Sequence, residues 1–385
     1  MTNFLNGNHI KLLRNGAEYF PALEAAIDAA KHEIYLETYI YQADKTGIKI
    51  GKALMRAAQR GVSVCLLLDG FGSQDLAHNY IHSLGLGGVQ VMFYRTKISP
   101  WSLKKNRLRR LHRKIVVIDQ QVGFVGGINI IDDDDVPKGA SSRVDYAIRI
   151  EGALLPLLYA SMHKLWRHIA WSQLRPIKKS AVALSPAHYS HHDGMKAALV
   201  LRDNIMHRRD IEEAYLSAIQ YAKTEIIIAN AYFIPGARFR KALLDAAARG
   251  VSVTLLLQGR VEYFGMFATH AFYSLFLKHG IEIFEYRKSY MHSKVAVIDS
   301  EWATVGSSNI DPFSLLLARE ANVVVSDKTF AAELRVDILN TIQDGASKLS
   351  HEDWRHRHLT GRFASWLAYG FLRLFLGLIG YSNEH

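Results

Sequence analysis

Two stretches of the chain carry the same side chains at the same offsets. "LHRKIVVIDQQVGFVGGIN" runs from Leu111 to Asn129 and "MHSKVAVIDSEWATVGSSN" from Met291 to Asn309. Both fit H-x-K-x4-D-x6-G-[GS]-x-N: His112, Lys114, Asp119, Gly126, Gly127 and Asn129 in one, His292, Lys294, Asp299, Gly306, Ser307 and Asn309 in the other. Side chains alternate along a strand, so His112 and Lys114 share a face while Ile115 and Val117 point into the packed side, and His292 and Lys294 do likewise. The aspartates close the strand turn. A second strand returns and stops at small residues, where backbone or ligand can approach closely, and the asparagine reaches the same point. One such set makes a weak phosphate cradle. Two brought together make a reaction site, because breaking a phosphodiester in line needs a nucleophile on one side of phosphorus and a proton donor at the leaving oxygen. Two facing histidines supply both, since imidazole is available neutral or protonated near pH 7. Lys114, Lys294, Asn129 and Asn309 then hold the non-bridging oxygens, and no metal or other cofactor is called for.

The elements around the motifs repeat as well. "AAQRGVSVCLLLDG" ends at Gly70 and "AAARGVSVTLLLQG" at Gly259; "HEIYLETYIY" from His32 answers "TEIIIANAYF" from Thr224; "GVQVMFYR" from Gly88 answers "GIEIFEYR" from Gly280. Each half reads strand, helix, strand, helix, strand, which predicts an α/β fold of two tandem pseudo-symmetric domains. Each is expected to hold a mixed, mostly parallel sheet flanked by helices. The boundaries fall at 1–175 for the first domain, 176–194 for a linker, 195–350 for the second domain and 351–385 for an apolar C-terminal segment. The prolines and small polar residues of 176–194 argue for a connection over the surface, so His188, His191, His192 and Asp193 read as linker, not as a metal site. The run Asp132 to Asp135 reads as a solvated loop.

The chain is 385 residues long, 49% hydrophobic, with 47 Lys+Arg against 36 Asp+Glu. It is long enough for two domains with large cores, and its excess of positive charge suits anionic lipid surfaces or nucleic acid. The single cysteine, Cys65, sits in the apolar run "VSVCLLL" and reads as a core thiol in a reducing compartment. "MTNFLNGNHI" shows no secretory signal. Phe363 to Tyr381 is almost wholly apolar apart from Ser365 and Arg373. As a helix it spans roughly 28 Å at ~1.5 Å per residue, about a bilayer core. The charge in its middle favours a helix lying in the interface over a span or a core helix. The basic flank "WRHRHLTGR" with Trp354 reads as an interface anchor. Before His112 stands an insertion, "TKISPWSLKKNRLRRL", with Lys97, Lys104, Lys105, Arg107, Arg109, Arg110 and Trp101 and no acid, suited to docking on anionic headgroups.

The doubled H-x-K-x4-D motif resembles the phospholipase D superfamily, and the surrounding text, including "LLRNGAEYFPALEAAIDAAKHEIYLETYIY", "IIIANAYFIPG" and "HSKVAVIDSEWATVGSSNIDPFSL", resembles its bacterial cardiolipin synthase branch. The similarity runs from about Asn8 to about Phe330. It implies phosphatidyl transfer from a phospholipid donor to an alcohol through a covalent phosphohistidine. The catalytic set would be His112, Lys114, Asp119, His292, Lys294 and Asp299, with His112 the nucleophile, His292 the acid and base, and the two aspartates fixing turns. Asn129, Asn309 and Ser307 would bind phosphate. A carboxylate behind each histidine would hold its tautomer, with Asp145 and Glu320 the candidates. The resemblance also implies phospholipid partners, phosphatidylglycerol first and phosphatidylethanolamine or cardiolipin besides, and a place on the cytoplasmic face of the bacterial inner membrane.

Two departures stand out. Gly127 replaces the usual serine, and Asp145 follows Asn129 by sixteen residues whereas Glu320 follows Asn309 by eleven. The half-sites are therefore not interchangeable. A phospholipase or nuclease that resolves the intermediate with water is the alternative, though an apolar C-terminus argues against nucleic acid as partner. A lipid-binding scaffold without activity is disfavoured because both motifs are complete.

Overall fold

The computed structural model describes residues 2–95, 109–134, 141–176, 194–203, 206–260 and 268–356, with three isolated helical positions at Leu367, Gly370 and Leu374. The first half contains β1 (Leu5–Arg14), α1 (Asn15–Ala29), β2 (Glu33–Thr38), α2 (Lys45–Gln59), β3 (Ser63–Asp69), α3 (His78–Leu86), β4 (Gln90–Tyr94), β5 (Lys114–Ile118), β6 (Val122–Gly126), β7 (Ser141–Val144), β8 (Tyr146–Gly152) and α4 (Leu155–Ser172). The second contains β9 (Met195–Arg202), α5 (Asp210–Tyr221), β10 (Glu225–Asn230), α6 (Ala237–Ala248), β11 (Ser252–Gln258), α7 (Tyr273–Lys278), β12 (Glu282–Tyr286), β13 (Ser289–Met291), β14 (Lys294–Ile298), β15 (Trp302–Gly306), α8 (Pro312–Leu316), β16 (Glu320–Ser326), α9 (Lys328–Gly345), β17 (Ala346–Leu349) and α10 (His351–His356).

Unbroken apolar runs such as "VCLLL" build strands buried on both faces, and the sequence repeats become structural repeats. In both halves the helix before that strand ends at a glycine in the left-handed region, Gly61 at φ 90° and Gly250 at φ 87°, a conformation that favours glycine. The two halves share one 15-stranded sheet, ordered β17-β12-β11-β10-β14-β15-β16-β9-β1-β8-β6-β5-β2-β3-β4. The order reads alike outward from the antiparallel pair β1–β9, where the pseudo-two-fold axis lies. The sheet is mixed, as expected, but its parallel part is confined to β2–β3–β4 and β10–β11–β12. The motif hairpins and the strands that join the halves pair antiparallel. Apolar periodicity reports which faces are buried and is silent on the direction of the neighbouring strand.

α4 and α9 share one apolar cluster with strand residues of both halves, including Ile115, Val125, Val295 and Val305. The opposite faces carry separate cores over α1 and α2, and over α5, α6 and α7. Cys65 is buried in the shared cluster. Ile115 and Val117 pack there too, while Val116 and Ile118, on the lysine's face, pack into the α1–α2 core, so β5 is buried on both sides.

Two expectations change. Asp133, placed in a solvated loop, is largely enclosed: its carboxylate accepts from Gly16 N at the start of α1, and burial pushes its pKa up to about 6. Trp354, expected as an interface anchor, is 4% exposed and packs on His270 and Tyr273 at 5.5 and 4.9 Å, where α10 covers α7. A basic flank looks the same whether its tryptophan faces lipid or a neighbouring helix. The segment 363–381 lies outside the described residues save for its three isolated positions. Among the described residues no helix is long and apolar enough to cross a membrane. The linker histidines also lie outside them.

Candidate active site

Each motif histidine sits just upstream of its strand, and backbone bonds to the opposite half hold it there. His112 N and Arg113 N both donate to Arg319 O at 3.0 Å, and Arg319 N donates to Arg110 O at 2.7 Å. His292 N donates to Val144 O at 2.8 Å, beside the two-stranded ribbon of β13 and β7. The residues that follow Val144 and Arg319 are Asp145 and Glu320, so the histidine of one half meets the carboxylate of the other. His112 Nδ1 is 2.8 Å from Glu320 Oε1, and His292 Nδ1 is 2.7 Å from Asp145 Oδ2. A carboxylate at Nδ1 selects the tautomer with the proton on Nδ1 and leaves Nε2 for chemistry. The histidine side chains keep 15% and 22% of their surface, enough for the imidazoles to meet a ligand.

Lys114 and Lys294 are almost fully buried. Lys114 Nζ donates to His112 O at 2.6 Å, and Lys294 Nζ donates to His292 O. The Tyr39 ring contacts His112 at 4.8 Å and lies 5.4 Å from Lys114 Nζ, closing one side. Asn129 Oδ1 accepts from Ile40 N at 3.1 Å, whereas Asn309 Oδ1 is enclosed without a partner among the described residues. The Ser307 hydroxyl donates to Glu320 Oε2 at 2.5 Å and accepts from Ala321 N at 3.1 Å. In this structure it is thus committed to the carboxylate that holds His112. Gly127 explains its own departure: a Cβ there would fall 2.3 Å from Asp145 Oδ1. The shorter Asp145 stands where a serine side chain would go, braced by Tyr146 N at 2.8 Å. One dyad is Glu with Ser, the other Asp with Gly.

The site holds more positive groups than its desolvated interior favours. Burial lowers the pKa of Lys114 to about 7 and of Lys294 to about 8, against the pull of Glu320 and Asp145. Burial, with the nearby lysines, also lowers His112 and takes His292 well below the usual imidazole range, Arg143 adding to the second shift. Burial raises Asp145 to about 6. An entering phosphodiester supplies the missing negative charge.

Asp119 and Asp299 stand at the far end of their strands. Asp119 accepts from Lys31 N, His32 N and Glu33 N at 2.7 to 2.8 Å, and Asp299 from Lys223 N, Thr224 N and Glu225 N at 2.8 to 3.0 Å. Both have positive φ, 50° and 52°, which aspartate tolerates in a turn. They anchor the hairpin to the neighbouring strand, a strand's length from the imidazoles. Of the basic insertion, Arg109 and Arg110 are described, and Arg110 stacks over Phe71 at 4.7 Å. Lys104, Lys105 and Arg107, like Lys97 and Trp101, lie outside the described residues.

Several site groups were not singled out in the sequence. Asp69, fully buried at the end of β3, accepts from Leu111 N at 2.8 Å and fixes the entry to the first motif. Arg113, between the catalytic pair, is 3% exposed and forks onto Glu37 of β2 while donating to Ser161 of α4 at 2.8 Å. Its counterpart is Ser293, whose hydroxyl donates to Val144 O at 3.3 Å. The signal for Asp69 was its place at the end of a repeated strand where the second copy has Gln258.

A chain with two such half-sites on a pseudo-symmetric sheet falls in the phosphodiester-transfer class suggested by its motifs, and comparison with known proteins gives the family. The family model described as cardiolipin synthase, PLD-like domain, matches residues 23–135 and 215–341, and the chain belongs to that family. It is 40% identical over 382 residues to cardiolipin synthase B of Salmonella typhi, covering 98% of this chain and 91% of that one. It is 38% identical over 386 residues to cardiolipin synthase B of Escherichia coli strain K12, with the same coverage. The crystal structure of phosphatidylserine synthase from Haemophilus influenzae superposes with a TM-score of 0.70 over 99% of this chain and 97% of that one, at 15% identity, a likeness of fold.

Proposed function

We infer that the chain is a cardiolipin synthase, a phosphatidyltransferase that moves a phosphatidyl group between phospholipids through a phosphohistidine. The observation that carries this reading is the pair of crossed dyads, each holding one imidazole by Nδ1 and so leaving its Nε2 for chemistry, with a buried lysine bonded to that histidine's backbone carbonyl. In the first step the entering phosphodiester anion offsets the cations that hold His292 neutral in the empty site, so that His292 binds a proton. His112 Nε2 attacks phosphorus, the bond to the leaving alcohol breaks, and protonated His292 gives that oxygen its proton. In the second step His292, now neutral, takes the proton of the acceptor hydroxyl, whose oxygen attacks phosphorus, and the P–N bond breaks to release product and His112. His112 takes the nucleophile's part by analogy with the superfamily's usual order. Lys114, Lys294, Asn129 and Asn309, all buried, stabilise the charge on the non-bridging oxygens. Phosphatidylglycerol as donor and acceptor yields cardiolipin and glycerol. The protein works as a peripheral enzyme on the cytoplasmic face of the membrane, with the basic insertion and the apolar segment 363–381 as attachments.

The test is incubation of the purified protein with phosphatidylglycerol vesicles, with every lipid product identified by mass. Cardiolipin with an equivalent of glycerol is the expected outcome. Phosphatidic acid alone would make the chain a hydrolase.

A further inference from the structure

α4 carries an outward face that the fold does not use. Lys164, Arg167, His168 and Trp171 recur at helical spacing on one side and line an open depression of about 470 Å³ with Tyr159 and His163. Trp171 is 79% exposed and Leu174, just past the helix, 93%. Leu174 has φ 54°, a conformation that disfavours a branched side chain and suits glycine or asparagine at a helix end. Its side chain buries nothing in return. The helix contains no aspartate or glutamate, and the acid-free stretch continues from Ala153 to His192. A helix with a buried apolar side and an outer side of cations around an exposed tryptophan has the make-up of a surface that rests in a lipid headgroup layer.

Its place in the fold agrees. Past the end of the helix, Gln173 Nε2 donates to Phe93 O at 2.9 Å and Arg175 Nη1 to Val91 O at 2.8 Å. Both tie it to β4, the edge strand of the sheet. Arg95, stacked over Tyr94 at 5.5 Å, adds a cation at the end of that strand, where the basic insertion departs in sequence.

We propose that the outer face of α4, with Trp171 and Leu174 as its apolar contacts and Lys164 and Arg167 as its cations, docks on an anionic phospholipid bilayer. The proposal rests on the reading of the chain as a phospholipid transferase.

The experiment labels the full-length protein at Trp171→Cys, in a Cys65→Ala background, with an environment-sensitive fluorophore. Vesicles contain phosphatidylglycerol and phosphatidylcholine. On binding, the label shifts to the blue, is protected from aqueous iodide and is quenched by nitroxide-bearing lipid. The same label at Lys241→Cys, on the exposed side of α6, stays open to iodide. Independently of the cysteine changes, Lys164→Gln with Arg167→Gln weakens vesicle affinity at low salt roughly 25-fold, about fivefold for each cation near an anionic surface, and leaves turnover on detergent-dispersed lipid unchanged. A label that remains open to iodide while the protein sediments with vesicles overturns the proposal. So does protection that rises with protein concentration in the absence of lipid, which would make the face a contact between two copies. Failure to form any lipid product in detergent would count against the transferase reading instead.

Discussion

Substituting asparagine for Asp145 removes the negative charge that faces His292 from the other half of the chain, while keeping the side chain's size and its bond from Tyr146 N. A hydrogen bond to a charged group is worth about 1.5–3 kcal/mol, which sets a floor of roughly 10- to 150-fold in turnover. An asparagine amide can also hold the wrong imidazole tautomer, which in a comparable dyad costs about 10⁴-fold. We expect kcat for phosphatidyl transfer to fall by roughly 10²- to 10⁴-fold, with KM within a few-fold, in a mixed-micelle assay that counts cardiolipin. In a His292→Ala background the same substitution costs less than about threefold, because residues acting as one unit are not additive. Glu320→Gln, acting on His112, keeps its own cost there. The carboxyl of Asp145 is raised by burial to about 6, so its charge fades as pH falls through 6. The wild-type activity falls with it, and the asparagine variant lacks that limb. Asp145→Asn within threefold of wild type, or a penalty that multiplies in full with His292→Ala, would refute the crossed assignment.

Gly127→Ser forces a Cβ to within 2.3 Å of Asp145 Oδ1 and should lower turnover well beyond tenfold, whereas Ser307→Ala, which deletes one bond to the Glu320 carboxylate, should cost about tenfold, the low end for a bond to a charged group; full activity in the first variant would show that the dyad tolerates displacement. Lys114, lowered to about 7, is mostly neutral at pH 8 in the empty site, so binding of short-chain phosphatidylglycerol at pH 8 should take up protons, read by calorimetry in buffers of different ionisation enthalpy. Heat independent of the buffer would sink that idea. The same lysine should make the unliganded fold gain stability as pH rises from about 7 toward its unfolded value near 10.4, since the unfolded chain then holds more protons; a denaturation series in which Lys114→Met lacks this gain is the check. Asp119→Ala leaves three backbone N–H groups without their acceptor and should cost about 2–4 kcal/mol of stability with little loss of turnover well below Tm. Lost turnover at unchanged Tm would place Asp119 in the chemistry.

The repeated motif, the two halves and the buried strands could be read from residue types and spacing alone, because they depend on local periodicity. What stayed hidden depends on partners far away in sequence. His112 and Glu320 are 208 positions apart, and His292 and Asp145 are 147. Sequence placed a carboxylate behind each histidine without indicating that the halves exchange them. Strand direction beyond the parallel trios, the inward turn of Trp354 and the capping role of Asp133 escaped for the same reason. A side chain's type allows several environments, and the approach of a distant element selects one. The difference between Gly127 and Ser307 was visible as an oddity, and only the position of Asp145 gives it a cause.

The exchange of carboxylates has a consequence for how such a chain could arise. Two separate copies of one half, joined about an exact two-fold axis, would exchange identical carboxylates, and both histidines would share one basicity and one role. Covalent linkage releases that constraint: once both halves lie in one gene, a change at 127 no longer forces the same change at 307. Glu with Ser on one side and Asp with Gly on the other is a divergence that a dimer of identical halves could not show. A part-reaction confined to one dyad would therefore be younger than the duplication, and reverting the second dyad toward the first would measure how much of the division of labour was acquired after it.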